Sequence, residues 1–142
     1  MSKPDLFHPK VIQHEDGNIY HGLKKNEPHF KGFGEAYFST IKKSHVKAWK
    51  KHTRMQMNLI VPVGAVKFVF LDAIENPDNI YEFTISKSDY ARLHVPPGWW
   101  MGFSGLDDEN LILNIADIMH DPSEIERKEK EAYIYSWEAN KK

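Results

Sequence analysis

The sequence contains no cysteine, so disulfides, thiolate metal centres and cysteine nucleophiles are all excluded. It also has no apolar run near the ~20 residues a membrane helix needs, and no apolar stretch follows Met1-Ser2-Lys3-Pro4-Asp5 as a secretory signal would require. Neither the dinucleotide-binding glycine fingerprint nor a P-loop occurs, and there is no Gly-x-Ser-x-Gly elbow. Any phosphorylated ligand must therefore be held by side chains such as Lys, Arg and Tyr. Charge of one sign is missing too: 19 Lys+Arg face 20 Asp+Glu, a net charge of -1 that argues against a broad nucleic-acid footprint. These absences leave a soluble, cytoplasmic protein as the expectation, with neither nucleic acid nor membrane as partner.

What remains is a chain of 142 residues, long enough to bury a core as one domain spanning 1–142. Hydrophobic residues at 41% exclude disorder, and aromatics at 13% favour strands, where flat side chains pack on a pleated surface. Short segments bounded by turn residues recur along the chain: 35–39, 46–52, 57–63, 65–72, 81–85, 90–95, 99–103 and 111–118. Gly64 falls where a tight hairpin calls for positive φ. Residues 1–35 read as irregular chain with one or two short strands. The charged tail from Pro122 to Ala132 is the one stretch that reads as helical. About eight strands at this spacing predict an all-β sandwich or barrel with a short C-terminal helical turn.

Eight histidines invite a metal reading, yet His8, His14, His21, His29, His45, His94 and His120 are scattered singly. On the strand 46–52, period-two alternation puts Val46, Ala48, Lys50 and His52 on one face. The two apolar members turn that face inward; the competing reading leaves Lys50 and His52 solvated at a frayed strand end. Lys47 and Arg92 are candidate diphosphate contacts by charge. Trp49, Trp99 and Trp100 suit either stacking on a ligand or the core. Asn114 interrupts an apolar run, so its amide is either a ligand contact or a structural hydrogen-bonding node.

Gly34-Glu35-Ala36-Tyr37-Phe38-Ser39, Val46-Lys47-Ala48-Trp49-Lys50-Lys51-His52 and Val61-Pro62-Val63-Gly64-Ala65-Val66-Lys67-Phe68-Val69-Phe70-Leu71-Asp72 form an ordered series. It continues through Val95-Pro96-Pro97-Gly98-Trp99-Trp100-Met101-Gly102-Phe103 and Asn114-Ile115-Ala116-Asp117. Over residues 8–137 the series resembles the dTDP-4-dehydrorhamnose 3,5-epimerase family, in particular its short members from surface-polysaccharide sugar pathways.

The resemblance implies a cupin jelly roll that forms a homodimer, with the N-terminal ~35 residues exchanged between partners. It implies proton transfer without cofactor or metal on a nucleotide-diphosphate 4-keto-6-deoxy sugar: a base acts beside the ketone and an acid on the opposite face. The residues that carry this chemistry depart from the family pattern. Lys50 stands where the family has its histidine base, with His52 beside it. Asn114 falls at the position of the tyrosine acid, and Met101 replaces the histidine of the Pro-Pro-Gly block. Tyr135-Ser136-Trp137 offers no carboxylate where one should support the base. Tyr37 follows a family-like Gly-x-x-Tyr and could offer its phenol to the pocket.

For Lys50 to act as a base its pKa must fall, which burial and a neighbouring Lys47 or Lys51 would both promote. The slots that bind metal in other cupins hold Lys50, His52, Met57 and Met101, a poor set for Zn, Fe or Mn. The resulting expectation is a metal-free epimerase or isomerase with Lys50, His52 and Asn114 as catalytic residues, and Tyr37, Lys47, Arg92, Trp99 and Met101 as substrate contacts. Alternatives are a sugar-nucleotide-binding or scaffolding cupin that has lost catalysis, and a sensor or structural dimer without a nucleotide ligand.

Overall fold

The computed structural model describes residues 1–140 and consists almost entirely of strands: β1 (Asp5–Phe7), β2 (Val11–Ile12), β3 (Ile19–Tyr20), β4 (Glu35–Thr40), β5 (Val46–His52) and β6 (Met57–Val63). There follow β7 (Ala65–Leu71), β8 (Ile80–Ser86), β9 (Arg92–Val95), β10 (Trp100–Gly105), β11 (Leu111–Ala116) and β12 (Ile125–Arg127). Two five-stranded sheets face each other. One has the order β1-β9-β6-β11-β4, the other β12-β5-β10-β7-β8, and β2 pairs with β3 as a separate hairpin. Every pairing among these strands is antiparallel. This is the all-β sandwich expected from the strand spacing, in the jelly-roll form that the resemblance implies. Among the described residues no helix is long and apolar enough to cross a membrane.

The inner faces meet in a core that includes Leu59, Phe68, Phe70, Leu93, Met101 and Ile112. At Gly64 the hairpin between β6 and β7 takes φ +82°, as the sequence predicts. A Cβ there would lie 2.1 Å from the Glu109 carbonyl oxygen, so both conformation and space require glycine. The second sheet is buried on its outer face as well. Trp49, Val69, Leu71 and Trp100 form a second cluster, covered by Tyr133, Tyr135 and Trp137 from the C-terminal segment. That double burial is why β7 reads as a nearly continuous apolar run.

The charged tail is not the helical stretch expected over 122–132. Pro122–Glu124 makes one 3₁₀ turn, capped by the Asp121 side chain accepting from the Ser123 N–H. Ile125–Arg127 then joins the edge of β5, and a second 3₁₀ turn follows at Lys130–Ala132. Trp49 and Lys128 extend that edge by exchanging both backbone hydrogen bonds. An open sheet edge with unpaired N–H and C=O groups outweighs the helix propensity of a short Glu/Lys run.

Candidate active site

Between the sheets lies a cavity of about 710 Å³. Lys47, Lys50, Met101 and Phe103 form its wall on the second sheet. Tyr37, Ser39, Leu59, Ile112 and Asn114 form the wall on the first sheet, and Arg127, Lys128 and Glu129 lie at the rim.

A bulge in β5 decides which basic residues reach this space. Met101 pairs with Lys50, but Phe103, two residues on, pairs with Lys47, three residues back. The extra residue on β5 shifts the alternation by one. Lys47 and Lys50 therefore share the inner face with Met101 and Phe103, while Val46 pairs with Ser104 on the other face. The uniform alternation read from the sequence is thus corrected. Lys50 and His52 keep the expected face, exposed Lys47 joins the cavity lining, and Ala48 packs with the outer cluster instead of inward. Lys51 faces outward, 3.5 Å from Glu126 and over the Trp100 ring.

Burial lowers the pKa of the Lys50 amine, and the Arg127 guanidinium and then Lys47 push it further down, against the opposing pull of Glu124. Arg127 sits directly across from Lys50 in the β5–β12 ladder. Lys47 is tied by a 2.9 Å hydrogen bond from Nζ to the Thr40 carbonyl.

His52 is buried and does not line the cavity; its Nδ1 lies 2.5 Å from Glu124 Oε2. Glu124 is 1% exposed, and its other oxygen accepts from the backbone N–H groups of Arg54 and Met55. Burial raises this carboxyl, yet the hydrogen bonds from His52 and the two amides outweigh it, so its pKa lies below the ordinary value. Burial likewise lowers the His52 pKa against the pull of Glu124. With Glu124 accepting from Nδ1–H, the Nε2 lone pair of His52 is left buried without a hydrogen-bond partner. The backbone here is fixed by the Pro-Pro-Gly turn, where Gly98 N–H donates to the His52 carbonyl at 2.8 Å.

On the opposite wall Asn114 pairs with Tyr37 across β11 and β4. Asn114 Nδ2 donates to the Tyr37 phenol oxygen at 3.0 Å, and Asn114 Oδ1 is buried without a partner. A phenol from the neighbouring strand thus stands beside the Asn114 amide. Tyr37, Lys47, Lys50, Met101 and Asn114 converge on one cavity.

Arg92 and Trp99 do not join them. Leu93 faces the core, so Arg92 and His94 project from the outer side of the first sheet. There Arg92 is fully buried, donating to Gly22 O at 2.9 Å, Asn58 Oδ1 at 2.7 Å and Glu27 Oε1 at 3.1 Å. It anchors residues 22–27 and has no donor facing the cavity, so the diphosphate role read for it from charge does not fit its position. Trp99 packs in the core edge-on to Tyr81, and its indole N–H donates to the Ser2 carbonyl. Among the described residues no group of three or more His, Asp or Glu side chains is placed to hold a metal ion.

Two residues of this neighbourhood escaped the sequence reading: Glu124, which looked like one more solvated charge, and Arg127. The usable signal was local. Asp121-Pro122-Ser123-Glu124 carries a cap, a first-turn proline and a first-turn acid, which places a turn start at Asp121 and fixes Glu124 within it.

No protein-family model matches the chain, and no curated protein sequence does. Solved structures do. A dTDP-sugar isomerase from Desulfovibrio desulfuricans is similar at TM-score 0.85 and 33% identity, over 94% of this chain and 90% of that one. A sugar 3,4-ketoisomerase from Thermoanaerobacterium thermosaccharolyticum bound to TDP superposes at TM-score 0.76 and 18% identity, covering 92% and 91%. A 3,5-epimerase from Legionella pneumophila, in complex with dTDP-4-keto-L-rhamnose, does so at 0.77 and 15%, covering 89% and 73%. The last two share the fold.

Proposed function

Because the chain belongs to the dTDP-sugar isomerase and dTDP-4-dehydrorhamnose 3,5-epimerase family of cupins, we propose that it moves protons on a nucleotide-diphosphate 4-keto-6-deoxy sugar without cofactor or metal. One observation carries this reading. A half-buried amine, Lys50, and a phenol, Tyr37, occupy opposite walls of a single cavity, one on each sheet. A sugar ring lying between them presents one face to each.

Lys50 Nζ, neutral, takes a proton from the carbon beside the ketone, and the C–H electrons move into the carbonyl to give an enolate. The Tyr37 hydroxyl returns a proton from the opposite face, which inverts that carbon. Lys50 ends protonated and Tyr37 ionised, and exchange with solvent resets both. Asn114 Nδ2 holds the phenol oxygen, where negative charge collects as the proton leaves, and it orients the hydroxyl hydrogen away from itself. His52 and Glu124 act from behind as a rigid support. The absence of His52 from the cavity lining favours Lys50 as the group that reaches substrate.

Solvent-deuterium incorporation into nucleotide 4-keto sugars tests the reading, since exchange reports enolisation even where product is disfavoured. Lys50→Met should abolish it, whereas His52→Asn should only reduce it. Loss of all exchange in His52→Asn with the fold intact would make His52 the base. We also propose a homodimer. Its support is the exposure of Phe33 (64%) and Phe38 (63%) beside the edge strand β4, together with Ile12 and Ile19 on the β2–β3 hairpin. Sedimentation at micromolar concentration should return twice 16.6 kDa; a monomer contradicts this.

A further inference from the structure

Arg127 and Lys50 are directly opposite each other on adjacent antiparallel strands. Side chains in that relation have Cβ atoms about 4.5–5.5 Å apart, and two like charges so placed are destabilising. The arrangement is not relieved locally. Lys47 contributes a second cation on the same face; Glu124 is already engaged by His52 and two backbone amides, and Lys128 and Glu129 bring one charge of each sign to the cavity rim. Met101 flanks Lys50 on β10, and Tyr37 and Asn114 face it from the first sheet. Among the described residues the Arg127 guanidinium has neither a hydrogen bond nor an ion pair, although it lies at the cavity rim. A free, forked donor at the mouth of a nucleotide-sugar cavity matches the geometry of a phosphate group.

Building on the proposed function, we propose that Arg127 is a positioning residue that binds the substrate diphosphate and couples its charge to Lys50. With the cavity empty, the unpaired guanidinium disfavours a second cation opposite it and lowers the affinity of Lys50 for a proton. When a diphosphate pairs with Arg127, that repulsion is cancelled and the affinity of Lys50 for a proton rises. The base is thus a weaker proton acceptor before substrate arrives and a stronger one once it is bound. The proton it then accepts comes from the sugar carbon. This assigns to Arg127 the anion contact that Arg92, on the outer face, does not make.

The test follows the 13Cε resonance of Lys50 against pH in the intact protein, free and with thymidine 5′-diphosphate, with uncharged thymidine as control. In wild type the Lys50 midpoint should rise on adding the diphosphate and stay put with thymidine. In Arg127→Gln the free midpoint should already be raised, the further rise with diphosphate should shrink, and diphosphate affinity should fall about tenfold. Arg127→Lys should retain the low free midpoint. A midpoint unchanged in Arg127→Gln, or a full ligand-induced rise in that variant, overturns the coupling. If thymidine diphosphate perturbs no cavity resonance in wild type, the nucleotide-sugar reading itself fails. The free midpoints of wild type and Arg127→Gln still decide whether Arg127 controls Lys50.

Discussion

Lys50 combines burial with like-charged neighbours, so it is held at a cost to the fold. Replacing it with methionine removes the desolvated amine and the cross-strand repulsion with Arg127. Lys50→Met is therefore expected to gain up to about 1 kcal/mol in urea unfolding while losing activity. A loss of stability would mean the amine makes a favourable contact that the geometry does not reveal. Glu124 is the converse case. Glu124→Ala strands the His52 ring and two backbone N–H groups, which predicts a loss of about 3–5 kcal/mol. A loss below 1 kcal/mol in the same assay would rule out a structural hub at that carboxylate.

On the outer face of the first sheet, His94 stacks on His29 at 4.3 Å. Burial first, then the charges of His29 and Arg92, lower the pKa of His94 from 6.5 to about 4. The folded value lies below the unfolded one, so the stability tied to neutral His94 is present above pH 6.5 and lost as pH falls toward 4. The loss is about 3 kcal/mol for a shift of this size. Urea midpoints measured across that window should fall in wild type and flatten in His94→Gln; equal slopes would contradict the assignment.

Among the elements, the strands with a clear apolar period were legible to within a residue or two. β6 and β7 match their predicted spans because Gly64 punctuates a hairpin that no other residue could make so tightly. Gly64→Ala is expected to cost more than 2 kcal/mol, read as a drop in thermal midpoint, because the backbone strain and the clash with Glu109 add. The bulge in β5 was not legible: nothing in Lys47-Ala48-Trp49-Lys50 marks an inserted residue, and a single insertion moves side chains to the other face. The tail was misread for a different reason. Its Glu/Lys composition states a local preference, whereas the open edge of β5 and the bare aromatic face of the second sheet exist only after the sandwich has formed.

For the whole molecule, two sheets enclosing one cavity place chemistry from distant parts of the chain on facing walls. The family resemblance supplied the fold, and the substituted positions Lys50, Met101 and Asn114 were visible in the sequence. So was Tyr37 as a phenol for the pocket; the contacts made by Asn114 and His52 were not. Tyr37 reaches Asn114 through strand register, and Glu124 reaches His52 from 72 positions along the chain. Function therefore depends on whether this altered set still enolises a keto sugar. The direct measurement is incorporation of solvent deuterium beside the ketone of a dTDP-4-keto-6-deoxyhexose, with wild type and Lys50→Met run side by side. The prediction is incorporation by wild type and a fall of at least ~10²-fold in the variant. Exchange retained by Lys50→Met, or no exchange by a wild-type protein that binds the sugar nucleotide, would contradict it.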